Sequence, residues 1–456
     1  MTALVWFRND LRSLDHAALS AAVTAGPCRA VYFLCPTQLD EHGIAPIRRH
    51  YLRLALQALA EQLAELGIPF DIVDAGHFKH VPKSLTDYCR QHSIEQIFAH
   101  EELLVDEMQR DNACKQALSI PLTLLDHCLI HPNLGTKDDG SAYKVFTPYS
   151  RRARQRLREH FPRVLPRPPA QAAAAAITRI EAFGEERDAS DWPVSENAVL
   201  EQLREFCSEQ APSYSDQRNF PAIDGTSRLS AALALGVISP RQCLARLQLE
   251  CGEGMWDAKS SAGNWFNELL WREFYRQVAY HFPQVVKGRA FQTDTEKLRW
   301  RNNPEHFAAW QAGETGYPIV DAGMRQLAQT GWMHNRLRMV TASFLCKHLH
   351  IDWRWGERHF LEQLIDADFA SNNGGWQWAA STGTDAVPYF RIFNPTTQSQ
   401  RFDADGEFIK QFIPELRELS GKALHQPENV AGYPQAIVDH KESRETCLAL
   451  FQEIRD

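Results

Sequence analysis

The ten cysteines form no C-x-x-C pair and show no ligand-like spacing with histidine. That argues against a structural zinc site and a disulfide framework, and it suits a reducing cytosol. No stretch approaches the ~20 consecutive apolar residues that cross a bilayer. The opening MTALVWFRND is charged by position 8, and no long apolar segment follows it. A signal peptide is therefore not expected, and a soluble, cytoplasmic protein is. No G-x-G-x-x-G follows the first apolar run, which speaks against a Rossmann dinucleotide site there. A basic excess is lacking too. The net charge of -8 rules out generic polyanion binding, so any nucleic-acid surface must be local.

What the chain does have is length and aromatic rings. Its 456 residues fit two or three domains, and 44% hydrophobic content fills large cores. Twelve Trp and 24 Phe suit bulky packing or stacking against other rings.

In the first third, ALVWF, AVYFL, PFDIV, IEQIF and LTLLD alternate with amphipathic patterns such as RRHYLRLALQALAEQLAEL. Short apolar strands between helices predict an α/β domain over residues 1–135, built on a doubly wound parallel sheet. Such sheets bind ligands beyond the carboxyl ends of their strands. Residues 136–198 read as a linker. Lys144 to Arg167 holds one Lys, seven Arg and one Glu. This run is either a solvated helix face or a guide for a DNA backbone. RPPAQAAAAAI and the acidic EAFGEERDASD follow. Residues 199–456 turn almost wholly helical, with VLEQLREF, NWFNELLWREFYRQVAYHF, GERHFLEQLI and a long DAGMRQLAQTGWMHNRLRMVTASFLCKHL pattern.

The densest chemistry lies in Asp366 to Pro395, DADFASNNGGWQWAASTGTDAVPYFRIFNP. Asp366, Asp368, Asn372 and Asn373 stand beside Trp376 and Trp378, and buried carboxylates and amides need partners. A capped helix end beside an apolar wall is one account; a polar ligand site is the other. GTSRLSAALALG sets Thr226, Ser227, Arg228 and Ser230 before an apolar helix, as N-caps or as a phosphate cradle. In NWFNELLWREFYRQ, Glu268, Trp271 and Arg272 can share one helix face. They form either an internal salt bridge beside a core tryptophan or part of a site.

These stretches, with the opening LVWFRNDLR, resemble the DNA photolyase/cryptochrome family. The closest likeness is to bacterial class I cyclobutane pyrimidine dimer photolyases, and it runs almost from end to end. The resemblance implies a light-driven DNA repair enzyme, a carbon–carbon lyase, using reduced FAD. It matches Tyr214, Thr226, Ser227, Arg228, Leu229, Ser230, Trp265, Glu268, Arg272, Asn335, Arg338, Asp366, Asp368 and Asn372 to the FAD site. Asp366 is expected to pair with Arg338, Asp368 to meet the flavin's pyrimidine edge, and Asn372 to face N5. The lesion-facing set is Glu268, Trp271, Asn335, Met339 and Trp378, and DNA is met by Arg218, Arg336, Arg391 and Gln398 as well.

By the same likeness, Trp376, Trp353 and Trp300 match an electron relay, although spacing alone leaves them as core residues. His42, Asp106, Glu107 and Lys287 match an antenna site for methenyltetrahydrofolate. Asp106 departs from that pattern, which has asparagine there. No metal is implied, and a monomer acting on dimer-containing DNA is expected. The rivals are a cryptochrome light receptor, a (6-4) photoproduct enzyme and a dark flavin oxidoreductase. The first lacks a long signalling tail here. The second needs a histidine where Asn335 stands, since His334 is aimed a helical step of about 100° away.

Overall fold

The computed structural model describes residues 2–454. All five apolar runs form strands: β1 Thr2–Phe7, β2 Cys28–Leu34, β3 Phe70–Asp74, β4 Ile94–His100 and β5 Leu122–Leu125. Every pairing is parallel, in the order β3-β2-β1-β4-β5. The chain winds first to one side of β1 and then to the other, as the alternating pattern requires. β1 is the central strand, and Ala3 through Phe7 are buried. Helices such as Pro46–Glu65 and Val81–Gln91 provide the crossovers.

Beyond β1 and β4 lies a closed polar knot. Asp10 Oδ2 stands 2.8 Å from His100 Nδ1 and 3.0 Å from His16 Nε2, while Oδ1 accepts the Arg8 N–H at 2.6 Å. His16 Nδ1 accepts the Leu19 N–H at 2.9 Å and so caps helix Ala17–Ala25. His100 Nε2 faces the Ala18 N–H at 3.4 Å. Burial works against the Asp10 charge, but His16 and His100 hold its carboxyl well below the usual range. Burial pushes His100 down to about 3. Burial disfavours charge on both imidazoles, and the cluster ties strand ends to a helix start.

The chain forms two compact units. The first takes in the residues up to Pro212, then Ser227–Pro283 and Ile365–Ala367. In it the basic run becomes helix Phe146–Glu159, which lies against helix Ser261–His281. Arg151, Arg152 and Arg158 are exposed, yet Arg154 turns inward and bonds the carbonyls of Met255 at 2.9 Å and Gly263 at 2.5 Å. That segment is solvated on one face only.

The second unit takes in Ser213–Thr226, Gln284–Leu364 and the residues from Asp368 on. Its helices include Pro304–Ala312, Pro318–Thr330, Asn335–Lys347, Trp353–Gln363, Phe369–Ala380 and Pro395–Phe402. The long DAGMRQ…CKHL pattern is two helices, not one. Gly331 ends the first with a left-handed φ of 68°, a conformation glycine adopts without strain. His334 then caps the second through Nδ1. Fully buried Asp321 holds this unit's turns together, accepting from Thr315 N and Oγ1, Gly316 N and the Tyr433 hydroxyl.

Candidate functional site

In the first unit, the hydroxyl-rich stretch does not cap its helix. Ser230–Leu235 starts from Leu229 with no side-chain cap, and Arg228 takes a left-handed φ of 48°. Ser227 Oγ instead faces Trp265 Nε1 at 3.4 Å, and the Ser227 carbonyl accepts from Gln202 at 2.8 Å. The structure thus joins Ser227 to Trp265, and Leu229 gives the helix no side-chain cap.

Helix Ser261–His281 carries Trp265, Glu268, Trp271 and Arg272. Arg272 bonds Glu273 Oε1 at 3.2 Å and the Leu233 carbonyl at 3.1 Å, tying this helix to the Ser230 helix. Its acidic neighbour in that contact is Glu273, one residue on. Glu268 and Trp271 are half-buried. Phe146 stacks face to face on Trp271, with centroids 3.7 Å apart and planes 7° apart. Phe274 and Tyr275 press on Trp271 from its own helix. A half-buried indole backed in this way is a rigid stacking platform. Asp366 is buried in the same unit.

In the second unit, Asn335, Arg336, Arg338 and Met339 open one helix. Arg338 Nε donates to the Met333 carbonyl at 2.8 Å. Arg336 bonds Asn219 Oδ1 at 2.6 Å and lies 4.3 Å over the Phe402 ring. Arg401 lies over the same ring at 5.1 Å, and Arg218 lies 5.1 Å over Tyr214. Burial, then the positive fields of Arg218 and Arg401, lower the Arg336 pKa to about 10. Guanidinium groups gathered around aromatic faces attract phosphate. Arg401 escaped the sequence reading, although it stands three residues beyond Gln398. Gln398 shares that helix, and exposed Arg391 lends its carbonyl to buried Lys347 at 3.2 Å. Burial lowers the Lys347 pKa to about 8.

Helix Phe369–Ala380 carries the rest. Asp368 is its N-cap, with Oδ1 accepting from Ser371 N at 2.9 Å and Ser371 Oγ at 2.8 Å. Asn372 Nδ2 donates to the Glu357 carbonyl at 2.9 Å, which turns Oδ1 the other way. Asn373 donates to the Glu357 carboxyl at 2.8 Å. Glu357 is buried, and that burial pushes its pKa up to about 7. Sequence reasoning missed Glu357 because GERHFLEQ reads as an ordinary polar helix.

Trp376 is buried against Phe360 at 4.9 Å and Trp310 at 6.1 Å. It lies so close to Gly356 that any Cβ there would overlap the indole, which brings it onto the helix that begins with fully buried Trp353. Half-buried Trp300 packs with Leu298, Cys447 and Phe451, and Trp378 is half-buried on the Phe369 helix.

Of the antenna set, His42 Nε2 and Asp106 Oδ2 are 4.0 Å apart in the first unit. Burial and then the Glu102 charge push Glu107 up to about 7. Lys287 is exposed in the second unit.

Two family profiles match. One, described as DNA photolyase, covers residues 3–169; the other, the FAD binding domain of DNA photolyase, covers 265–453. The deoxyribodipyrimidine photo-lyase of Salmonella typhimurium is 46% identical over 474 residues, covering 100% of this chain and 99% of its own. That of Escherichia coli is 45% identical, with the same coverage. The chain belongs to the DNA photolyase family. Among solved structures, the archaeal photolyase of Sulfolobus tokodaii, which holds two FAD molecules, superposes with a TM-score of 0.85. It is 27% identical and covers 99% of this chain and 100% of its own.

FAD is the cofactor of this family fold, and the donors present suit it. Ser227, whose hydroxyl faces the Trp265 indole N–H, and Arg228, at a left-handed φ of 48°, are polar groups of the kind a diphosphate takes. The Asn372 orientation presents a carbonyl oxygen, the right partner for a ring N–H. No helix among the described residues is long and apolar enough to cross a membrane.

Proposed function

We propose that this photolyase-family chain is a deoxyribodipyrimidine photo-lyase that splits cyclobutane pyrimidine dimers in DNA under blue or near-UV light. The observation that carries this reading is the stacking platform. Trp271 is pinned by Phe146 on the same helix as Glu268, inside a chain whose photo-lyase relative is alike from end to end.

When bound in its reduced form, the flavin supplies one photoexcited electron to the dimer and takes it back once the ring has split. The residues do the rest. Trp271 and Trp378 hold the flipped-out pyrimidines by stacking, at an unstacking cost that damage lowers. Glu268 and Asn335 bond the pyrimidine edges, and Met339 packs against them. Arg218, Arg336, Arg391 and Gln398 hold the flanking backbone, with Arg401 beside Arg336. Ser227 to Ser230 cradle the diphosphate, with Tyr214, Thr226, Trp265, Arg272, Arg338, Asp366 and Asp368 completing the cofactor set. With Nδ2 committed to Glu357, Asn372 Oδ1 would take the flavin's ring N–H. Trp376, Trp353 and Trp300 deliver electrons to an oxidised flavin. His42, Asp106, Glu107 and Lys287 serve a folate antenna.

A (6-4) activity is disfavoured because His334 is buried and its Nδ1 is used as a helix cap. The test is direct. Protein with reduced flavin should convert thymine dimers to thymines in light and not in darkness, measured by chromatography of the digested DNA. Equal dimer content after light and dark would overturn the reading.

A further inference from the structure

Trp376 stands at a fork. On one side is Gly356 on the helix that begins with Trp353. On the other, its ring centroid is 6.1 Å from that of Trp310, at 71° between planes. Trp310 stacks on Phe307 with centroids 5.8 Å apart and planes 16° apart. Phe307 in turn meets Trp355 edge-on at 5.2 Å. All of these residues belong to the second unit. Trp310 is fully buried, whereas Trp355 is 37% exposed, among the large apolar side chains that face water. Trp353 and Trp355 lie two positions apart on one helix, a turn of about 200°, so one points inward where the other points out.

We propose that Trp376 feeds a second electron conduit, through Trp310 and across the Phe307 ring to Trp355 at the surface. This rests on the reading above that Trp376 reduces an oxidised flavin.

The chemistry of each ring favours outward passage of the positive hole. Indole loses an electron far more readily than phenyl or imidazole, so Trp376, Trp310 and Trp355 are the stations and Phe307 only bridges. The Trp376 Nε1–H is buried and has no acceptor among the described residues. The Trp310 Nε1–H donates to the Thr341 carbonyl, at 3.1 Å. An amide carbonyl is a weak base, so neither oxidised ring can shed its proton and trap the hole. A buried cation is costly, and water around Trp355 relieves that cost. His359, edge-on to Trp310 at 5.5 Å, adds no opposing charge, because burial lowers its pKa to about 4.

Trp376 gives one electron to the photoexcited oxidised flavin and is refilled by Trp310, which Trp355 refills in turn. Trp355 then releases its indole proton to water. A thiol in solution returns an electron and a proton to it and ends as a disulfide after pairing.

The experiment uses FAD-loaded protein with oxidised flavin, blue light and a small thiol, and follows flavin bleaching. Trp300→Phe should slow photoreduction and leave a remainder. Trp300→Phe/Trp355→Phe should lose that remainder, and Trp355 is exposed enough for the variant to fold. A double variant as fast as Trp300→Phe overturns the conduit. If Trp376→Phe photoreduces like the parent, the relay reading itself fails, which is a different result. A second readout is peptide mass mapping after illumination in air without thiol. Trp355 should gain oxygen in the parent and not in Trp376→Phe; equal oxygen gain in both means direct surface oxidation and also overturns the proposal.

Discussion

Asn372 hands its side-chain N–H to the backbone carbonyl of Glu357 across 2.9 Å, so the register between two helices sets the amide's direction. The Glu357 side chain serves Asn373 in the same way, at 2.8 Å. One buried residue thus steers both amides.

The protonation of Glu357 should be visible in stability. Burial raises its pKa to about 7, with the Asn373 bond and the Arg354 charge offsetting only part of the effect. A carboxyl that holds its proton more tightly when folded favours folding at low pH. That contribution fades as pH climbs from the ordinary carboxyl value through about 7. Glu357→Gln stays neutral and keeps an acceptor for Asn373. It should exceed the parent by about 3 kcal/mol near pH 8 and match it near pH 4. Denaturant midpoints at the two pH values decide this, and an equal gap at both would contradict it.

Gly356 is where the Trp376 ring passes. Gly→Ala within an exposed helix would normally stabilise by about 1 kcal/mol. Here the new Cβ would overlap the indole and lie 2.7 Å from Leu345 Cδ2. Gly356→Ala should cost about 1–3 kcal/mol through overpacking and slow flavin photoreduction. A rise in melting temperature with unchanged photoreduction would show that the ring is not held there.

Arg336 sits in a field made positive by Arg218 and Arg401. Arg336→Gln should weaken binding to damaged and intact DNA alike and flatten the slope of log K against log salt by roughly one. A salt titration with an unchanged slope would remove Arg336 from the phosphate contacts.

Trp271 carries its stacking face on Phe146. Trp271→Ala should cost about 1–3 kcal/mol of affinity for dimer-containing DNA, while Trp271→Phe keeps most of it. Bound flavin measured by absorbance separates this from a folding defect. Parent-like affinity in the alanine variant would assign Trp271 to the core.

Much was written locally. Short apolar runs marked all five strands, because a parallel strand covered on both faces is apolar along most of its length. The pattern around Glu268, Trp271 and Arg272 announced a helix, and the motifs carried the family likeness. Other features are invisible to local spacing. The break at Gly331 hides inside a continuous helical period, because one glycine scarcely dents that signal. Arg154 belongs to a basic run but points inward, since only packing against the Ser261 helix and the Gly252–Trp256 turn before it supplies its carbonyl acceptors. Glu357, Trp310, Trp355 and Arg401 matter through partners that lie across helices, where no sequence interval records the distance.

By itself the sequence determined which segments fold into strands and helices and which family they join, because those depend on neighbours along the chain. Tertiary structure alone decided which way Asn372 turns, what backs Trp271 and where the Trp376 ring leads. Those are through-space contacts, and they exist only once the helices have packed.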